Sequence, residues 1–220
     1  MKTILCFGDS NTHGYVPLWS AAETERRYDE NTRWPASMRR RLGAEYRVIE
    51  EGLNGRTTIY TPEDQPYKNG ENYLLPCLLS HKPIDLVILM LGTNDLRMRF
   101  GVTLETLGEG LHRLIDLIRA NPVCGAGGES PKILVISPIH VGKPDGEKNL
   151  YIDRGEERGV QLSRAFAGVY QTIAEKTGCG FLDASIYAAP SVKDGLHMEP
   201  DGHDRLSRAV TEMVRQMLAD

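Results

Sequence analysis

Short apolar runs and longer amphipathic stretches alternate along the 220 residues of the chain. The runs predict strands at 3–7, 47–49, 85–91, 132–137 and 180–182, and the stretches predict helices at 34–42, 72–80, 104–120, 156–176 and 201–218. The helix at 104–120 has the clearest apolar stripe, from Leu104 to Ile118. Two of the strands are almost continuously apolar, as parallel strands covered on both faces are. This alternation predicts an α/β protein, a three-layer α/β/α sandwich with a five-stranded parallel sheet.

The composition is ordinary for a globular protein, with 40% hydrophobic and 25% charged residues, and we expect a single domain over residues 1–220. A net charge of -4 without a basic stripe argues against nucleic acid and membrane surfaces as partners. No stretch approaches the roughly 20 apolar residues of a membrane span. The four cysteines are scattered without a CxxC pair, which indicates neither a disulfide framework nor a zinc site. We therefore expect a cytoplasmic protein.

Polar residues and glycines follow the predicted strands where a parallel sheet forms its sites, beyond the carboxyl ends. Ser10 follows the first strand in GDSNTHG, Gly52 follows the second in EGLNGRTT, and Asn94 follows the third in GTND. Asp194 and His197 lie three residues apart in DGLH, before the last helix. The topology predicts that these residues meet at one edge of the sheet.

These residue types together match the requirements of acyl transfer. A serine hydroxyl is a poor nucleophile until an adjacent base takes its proton. His197 can act as that base for Ser10 if Asp194 holds its tautomer, which predicts a catalytic triad in the order Ser, Asp, His. The backbone N–H groups of Ser10 and Gly52 and the amide of Asn94 are the predicted donors to the oxyanion.

These motifs resemble those of the SGNH hydrolase superfamily, the GDSL esterases, over nearly the whole chain. GDSNTHG resembles the nucleophile block with Ser10, Gly52 and Asn94 match the further oxyanion donors, and DGLH resembles the block that carries Asp194 and His197. ILCFGDS and LVILMLGTND are similar to the arylesterase and acyltransferase branch. The resemblance implies a flavodoxin-like sheet in the order 2-1-3-4-5 and hydrolysis of small, short-chain esters without metal or cofactor. It also implies a homo-oligomer.

The chain departs from the family pattern beside the nucleophile. Asn11 stands where the family name has leucine, and His13 and Tyr15 stand where acyltransferase-like members often have tryptophan. We expect these three side chains to border the substrate pocket. Because acyl transfer in water depends on an apolar, water-poor site, we expect hydrolysis to dominate over acyl transfer.

Other interpretations use parts of the same pattern. An α/β-hydrolase elbow needs glycine two residues after the serine, where Thr12 stands. A phosphatase with an aspartyl nucleophile needs a second carboxylate where Asn11 stands. A non-catalytic flavodoxin-like binding module has no use for the pair Asp194 and His197. A metal site on His197 and His203 lacks a third ligand nearby in the sequence.

The sequence motifs do not distinguish between several classes of ester substrate. A carbohydrate O-acetyl esterase and a thioesterase would carry the same triad as an arylesterase. Three long polar segments, 14–33, 54–71 and 138–155, are predicted to shape the pocket, since long loops in compact domains are commonly functional. They carry no motif that identifies the substrate.

Overall fold

The sheet consists of five parallel strands in the order β2-β1-β3-β4-β5. The computed structural model describes residues 1–146 and 152–219. The strands are β1 (Lys2–Gly8), β2 (Tyr46–Gly52), β3 (Leu86–Met90), β4 (Lys132–Ser137) and β5 (Gly180–Asp183). The helices are α1 (Ser10–His13), α2 (Trp34–Leu42), α3 (Gly70–His81), α4 (Glu109–Arg119), α5 (Glu157–Thr177) and α6 (Pro200–Leu218). The predicted fold class and strand order are confirmed.

Helices cover both faces of the sheet and enclose two apolar cores. On one face, α3, α4 and α5 pack over the side chains of Leu5, Phe7 and Val87. On the other face, α2 and α6 pack over Ile4 and Cys6. Neighbouring residues of β1 thus alternate between the two cores, as the twofold repeat of a strand requires. The central strand β3 is buried along its whole length, which explains its uninterrupted apolar sequence.

The prediction for α4 was wrong at its start. The helix begins at Glu109, because Gly108 precedes it with a backbone φ of 102°, which is outside the helical range. Leu104 therefore lies before the helix and its side chain is 59% exposed, although Leu107 still reaches the core. The stripe from Leu111 to Ile118 packs on the sheet as predicted.

A short helix that the pattern does not predict carries the nucleophile motif. In α1, the Asp9 carboxylate caps the first turn by accepting the Asn11 N–H at 2.9 Å. Gly14 ends the helix in the left-handed conformation, with its N–H donating to the Ser10 carbonyl. At four residues, α1 is too short for hydrophobic periodicity to register.

The carboxyl ends of all five strands point to the same edge of the sheet, so the loops that follow them meet there. Gly8 pairs with both Gly52 and Met90, which places the ends of β1, β2 and β3 side by side. Across the described ranges, none of the helices has the length and hydrophobicity needed to cross a bilayer.

Candidate active site

Ser10, Asp194 and His197 lie in one line of hydrogen bonds. His197 Nε2 is 2.8 Å from Ser10 Oγ, and His197 Nδ1 is 2.7 Å from Asp194 Oδ2. Ser10 is the first residue of α1, and the other two residues share the tight turn before α6. All three side chains are buried or nearly so, with Asp194 fully covered. The structure therefore brings together the three residues that the sequence nominates as a triad.

The Asp194 carboxylate is held as an anion by the turn in which it lies. Burial raises its pKa, but hydrogen bonds from the His197 side chain and from the backbone N–H groups of Leu196 and His197 outweigh burial. The net pKa lies below the usual range of an aspartate. An ionised Asp194 accepts the Nδ1–H of His197, which leaves Nε2 as the lone-pair nitrogen that faces Ser10.

Asn11 connects the nucleophile loop to the loop of the base. Its amide Nδ2 donates to the Leu196 carbonyl at 3.1 Å, and its Oδ1 accepts the Met198 N–H at 3.0 Å. These two backbone groups flank His197. Asn11 borders the cleft as expected, but its amide is engaged in holding the two loops together.

Of the two aromatic positions expected at the pocket, the structure places one there. The Tyr15 ring packs on the His197 imidazole, with 4.3 Å between ring centroids, and it borders the cleft. The expectation for His13 was wrong, because His13 is the last residue of α1 and is not among the residues that line the cleft. Its backbone lies against Gly52, and its carbonyl accepts a hydrogen bond from Arg27.

The placement of Gly52 also differs from the prediction. Leu53 N–H donates to the Gly8 carbonyl in the ladder between β2 and β1. Because neighbouring residues of a strand direct their N–H groups to opposite sides, the Gly52 N–H faces away from β1 and the cleft. A Cβ at Gly52 would lie 2.2 Å from His13 N, so this glycine permits the close approach of α1 to β2.

Gly55, three residues further along the same motif, borders the cleft beside Ser10 and Asn94. Its φ of 79° places it in the left-handed region that favours glycine. Within the described part of the chain, no protein group accepts the Gly55 N–H. Gly55 therefore replaces Gly52 as the candidate backbone donor. The motif EGLNGRTT contains both glycines, and spacing alone does not distinguish them.

The Asn94 side chain is oriented by hydrogen bonds at both ends of its amide. Nδ2 donates to the Arg56 carbonyl at 3.0 Å, and Oδ1 accepts from Arg154 Nη2 at 3.0 Å. Arg154 also donates through Nε to the Thr93 carbonyl at 3.2 Å. Asn94 borders the cleft, so the second Nδ2 hydrogen is the one that remains for a bound oxyanion.

Two buried arginines that the sequence analysis did not nominate support these loops. Arg56 Nη1 donates to the Gly8 and Glu51 carbonyls, and its guanidinium lies 4.2 Å from the centroid of the Phe7 ring. Arg154 is 2% exposed, and burial, followed by the charge of Arg97, lowers its pKa to about 10. Arg56 lies inside the quoted EGLNGRTT motif, whereas no motif surrounds Arg154.

The cleft above Ser10 is small and polar, with a volume of about 150 Å³. Its apolar lining side chains, among the described residues, are Tyr15 and Leu196. Three buried polar atoms of its lining residues, Thr93 Oγ1, Asn54 Oδ1 and Arg97 Nε, have no hydrogen-bond partner in the described part of the chain. Such atoms can bind polar groups of a ligand or water.

His203, which was considered with His197 as a metal ligand, is engaged in another part of the fold. His203 is buried, and its Nδ1 accepts the Trp34 N–H at 3.3 Å. Over residues 1–146 and 152–219, one group of three side chains could hold a metal ion: Glu51, Cys77 and His81, whose ligand atoms lie within 4.8 Å of one another. This group does not border the cleft. Burial, with the nearby Glu51 charge, raises the Cys77 pKa to about 12, so a metal would have to displace a tightly held proton.

Asp95 anchors the Asn94 loop to the segment after β2. Its Oδ1 accepts the Thr58 N–H at 2.8 Å and its Oδ2 accepts the Thr58 hydroxyl at 2.6 Å. Burial raises its pKa to about 7, although the Thr58 hydrogen bonds oppose the change. The folded protein therefore binds a proton here at pH values where an unfolded aspartate has lost it.

Asp95→Asn should remove this contribution to the pH dependence of stability. Between about pH 4 and 7 the folded state holds the extra proton, so the free energy of unfolding falls with rising pH by up to about 1.4 kcal/mol per unit. The amide keeps an acceptor for Thr58 N–H and does not titrate. Urea unfolding from pH 5 to 8 should show that the free energy of unfolding of the wild type, relative to that of the variant, falls with rising pH. A constant difference would contradict the assignment.

Comparisons with known proteins identify a family and several similar structures. Residues 6–205 match the model of the GDSL-like lipase/acylhydrolase family. An aryl esterase from M. smegmatis is 35% identical, with a TM-score of 0.90 over 99% of this chain and 100% of that one. A carbohydrate acetylesterase from Sinorhizobium meliloti is 31% identical, with the same TM-score and coverage.

A lipase/acylhydrolase from Enterococcus faecalis, at 21% identity and a TM-score of 0.68 over 98% of this chain and 96% of that one, shares the fold. No curated protein matches the chain by sequence. The family match spans most of the chain, including Ser10, Asp194 and His197. The chain therefore belongs to the GDSL-like lipase/acylhydrolase family, the SGNH hydrolases, and is an ester-hydrolysing enzyme.

Proposed function

We propose that this esterase cleaves short-chain carboxylic esters through an acyl-enzyme on Ser10. His197 Nε2 takes the hydroxyl proton while Ser10 Oγ attacks the ester carbonyl, and the tetrahedral intermediate forms. As the intermediate collapses, His197 returns the proton to the departing alcohol. Water, deprotonated by the same imidazole, then attacks the acyl-enzyme. As the bond between the acyl carbon and Ser10 Oγ breaks, His197 returns the proton to Ser10 and the acid leaves.

The negative charge of the intermediate rests on three donors in this proposal. They are the backbone N–H groups of Ser10 and Gly55 and the free Nδ2 hydrogen of Asn94. Such donors matter because they are already oriented toward the oxygen where charge develops. The 2.8 Å contact between His197 Nε2 and Ser10 Oγ is the observation that carries the proposal.

The size and polarity of the cleft support a small acyl group. A volume of about 150 Å³ with two apolar lining side chains leaves little room for a long alkyl chain. We propose acetyl-type esters of aryl or alkyl alcohols as substrates. Hydrolysis should exceed acyl transfer, because a polar cleft admits water.

A carbohydrate O-acetyl ester is the second candidate substrate. The unpartnered Thr93 Oγ1 and Asn54 Oδ1 in the cleft wall favour an alcohol with several hydroxyl groups. The similarity to the Sinorhizobium meliloti carbohydrate acetylesterase supports the same substrate class. A homo-oligomeric state and a cytoplasmic location remain predictions from the family resemblance and from the scattered cysteines, respectively.

Ser10→Ala should abolish turnover of phenyl acetate, with kcat falling by about 10⁶, and His197→Ala should do so to a similar extent. Ser10 forms the covalent bond to the acyl group, and His197 transfers a proton in both steps, so neither step proceeds normally without them. A fluorophosphonate probe with mass spectrometry should label Ser10 in the wild type. Ser80→Ala, which alters an exposed serine on α3, is the matched control. Wild-type rates in Ser10→Ala would end the proposal.

Acyl length should limit the rate. Comparing phenyl acetate, butyrate and octanoate, kcat/KM should fall by at least about tenfold from the shortest to the longest chain, because the octanoyl group exceeds the cleft. A panel of acetylated monosaccharides assayed beside them separates the two substrate classes. Higher kcat/KM for octanoate than for acetate would contradict a small acyl pocket.

Arg154→Met should lower kcat/KM for phenyl acetate about tenfold, because the Asn94 amide loses the donor that orients it. The loss should be smaller than the 10² to 10³ expected for Asn94→Ala, which removes the donor to the oxyanion. In an Asn94→Ala background the same substitution should cost little more, since the two residues act through one amide.

Arg99→Met is the control for Arg154→Met, because Arg99 is an exposed arginine paired with Asp64 outside the cleft. Full additivity of Arg154→Met and Asn94→Ala would show that Arg154 does not act through the Asn94 amide.

A further inference from the structure

Basic side chains dominate the charged lining of the cleft. Lys68, Arg97 and Arg154 border it, and Glu25 is the one carboxylate among the described lining residues. The chain as a whole has a net charge of -4. The described lining of the cleft therefore carries a charge opposite in sign to that of the chain as a whole.

Lys68 lies beside Gly55, one of the proposed oxyanion donors. Its ammonium group covers Gly55, since a Cβ built at that glycine would be 3.0 Å from Lys68 Nζ. Within the described residues, Lys68 forms no salt bridge, and the charges of Asp64 and Glu25 act on its ammonium group from further away. Lys68 thus places a positive charge in the cleft beside Gly55.

Arg97 is only partly neutralised by its acidic neighbour. Its Nε lies 3.1 Å from Asp153 Oδ2, but the two groups are not aligned as a hydrogen bond. Asp153 is about half exposed, whereas the Arg97 side chain is 20% exposed and borders the cleft. Solvent screens an ion pair of this kind, so the guanidinium retains attraction for an anion in the cleft.

Arg97 repels the two other cations of the cleft. Burial, followed by the charge of Arg97, lowers the pKa of Lys68. The same two causes, in the same order, lower the pKa of Arg154 to about 10. Like charges held together in a partly buried cleft are stabilised by an anion that binds between them.

We propose that the cleft selects esters that carry a carboxylate near the scissile bond, bound by Lys68 and Arg97. Arg154 completes the positive wall while it holds Asn94. This inference rests on the proposed esterase mechanism and adds the charge of the substrate to it. The carboxylate can belong to the acid or to the alcohol part, since the shared requirement is an anion beside the reacting carbonyl.

Two matched substrate pairs test the proposal and separate these sources. In the acyl arm, monoethyl succinate is compared with ethyl pentanoate; in the alcohol arm, 4-acetoxybenzoate is compared with methyl 4-acetoxybenzoate. In at least one arm, kcat/KM for the anionic ester should exceed that for its neutral partner by about ten- to a hundredfold, as expected for a charge-assisted hydrogen bond. Product release is followed by chromatography.

Lys68→Met should reduce this preference about tenfold while changing kcat/KM for the neutral partner much less, and Lys68→Glu should reverse it. Adding salt should weaken the preference of the wild type, because mobile ions screen partly exposed charges. Arg208→Met, which removes an exposed arginine of α6 outside the cleft, should leave the preference unchanged.

Equal kcat/KM for the anionic and neutral esters in both arms would overturn the inference and leave the esterase mechanism intact. An anionic preference that survives unchanged in Lys68→Met would likewise overturn it. If the wild type turns over none of the four esters nor phenyl acetate, the proposed mechanism itself fails.

Discussion

The site depends on the His197 imidazole, which must be held at both of its nitrogens to be useful. Asp194 fixes one nitrogen and leaves the lone pair of the other facing Ser10. Burial destabilises an ionised carboxylate. In this tight turn the backbone N–H groups of Leu196 and His197 stabilise it by hydrogen bonds. The chemistry of the nucleophile therefore rests on a turn of four residues far from it in the sequence.

The fold was predictable because its determinants are local and repeated. The uninterrupted apolar residues of β3 and β4 can only be covered on both faces, which requires helices on each side. Where the pattern was wrong, a backbone feature decided the outcome. Gly108 delays the start of α4, and α1 depends on the Asp9 cap and on Gly14 rather than on apolar spacing.

Functional residues that lie in short sequence motifs could be predicted from the sequence. Roles that depend on the orientation of a backbone or side-chain group could not. Ser10, Asn94, Asp194 and His197 lie where strand ends must meet. The direction of a single N–H separates Gly52 from Gly55, and only the strand ladder determines it. Arg154 comes from a segment without a motif, and its role follows from the distance to Asn94 alone. That Lys68 lines the cleft depends on how the loops fold, which the sequence alone does not give.

The amide of Asn11 has a consequence for how the site responds to thermal motion. Its side chain forms hydrogen bonds with the backbone on both sides of His197, and the adjacent Ser10 supplies the attacking oxygen. The two loops are thus tied to each other, which favours a constant distance between Ser10 Oγ and His197 Nε2.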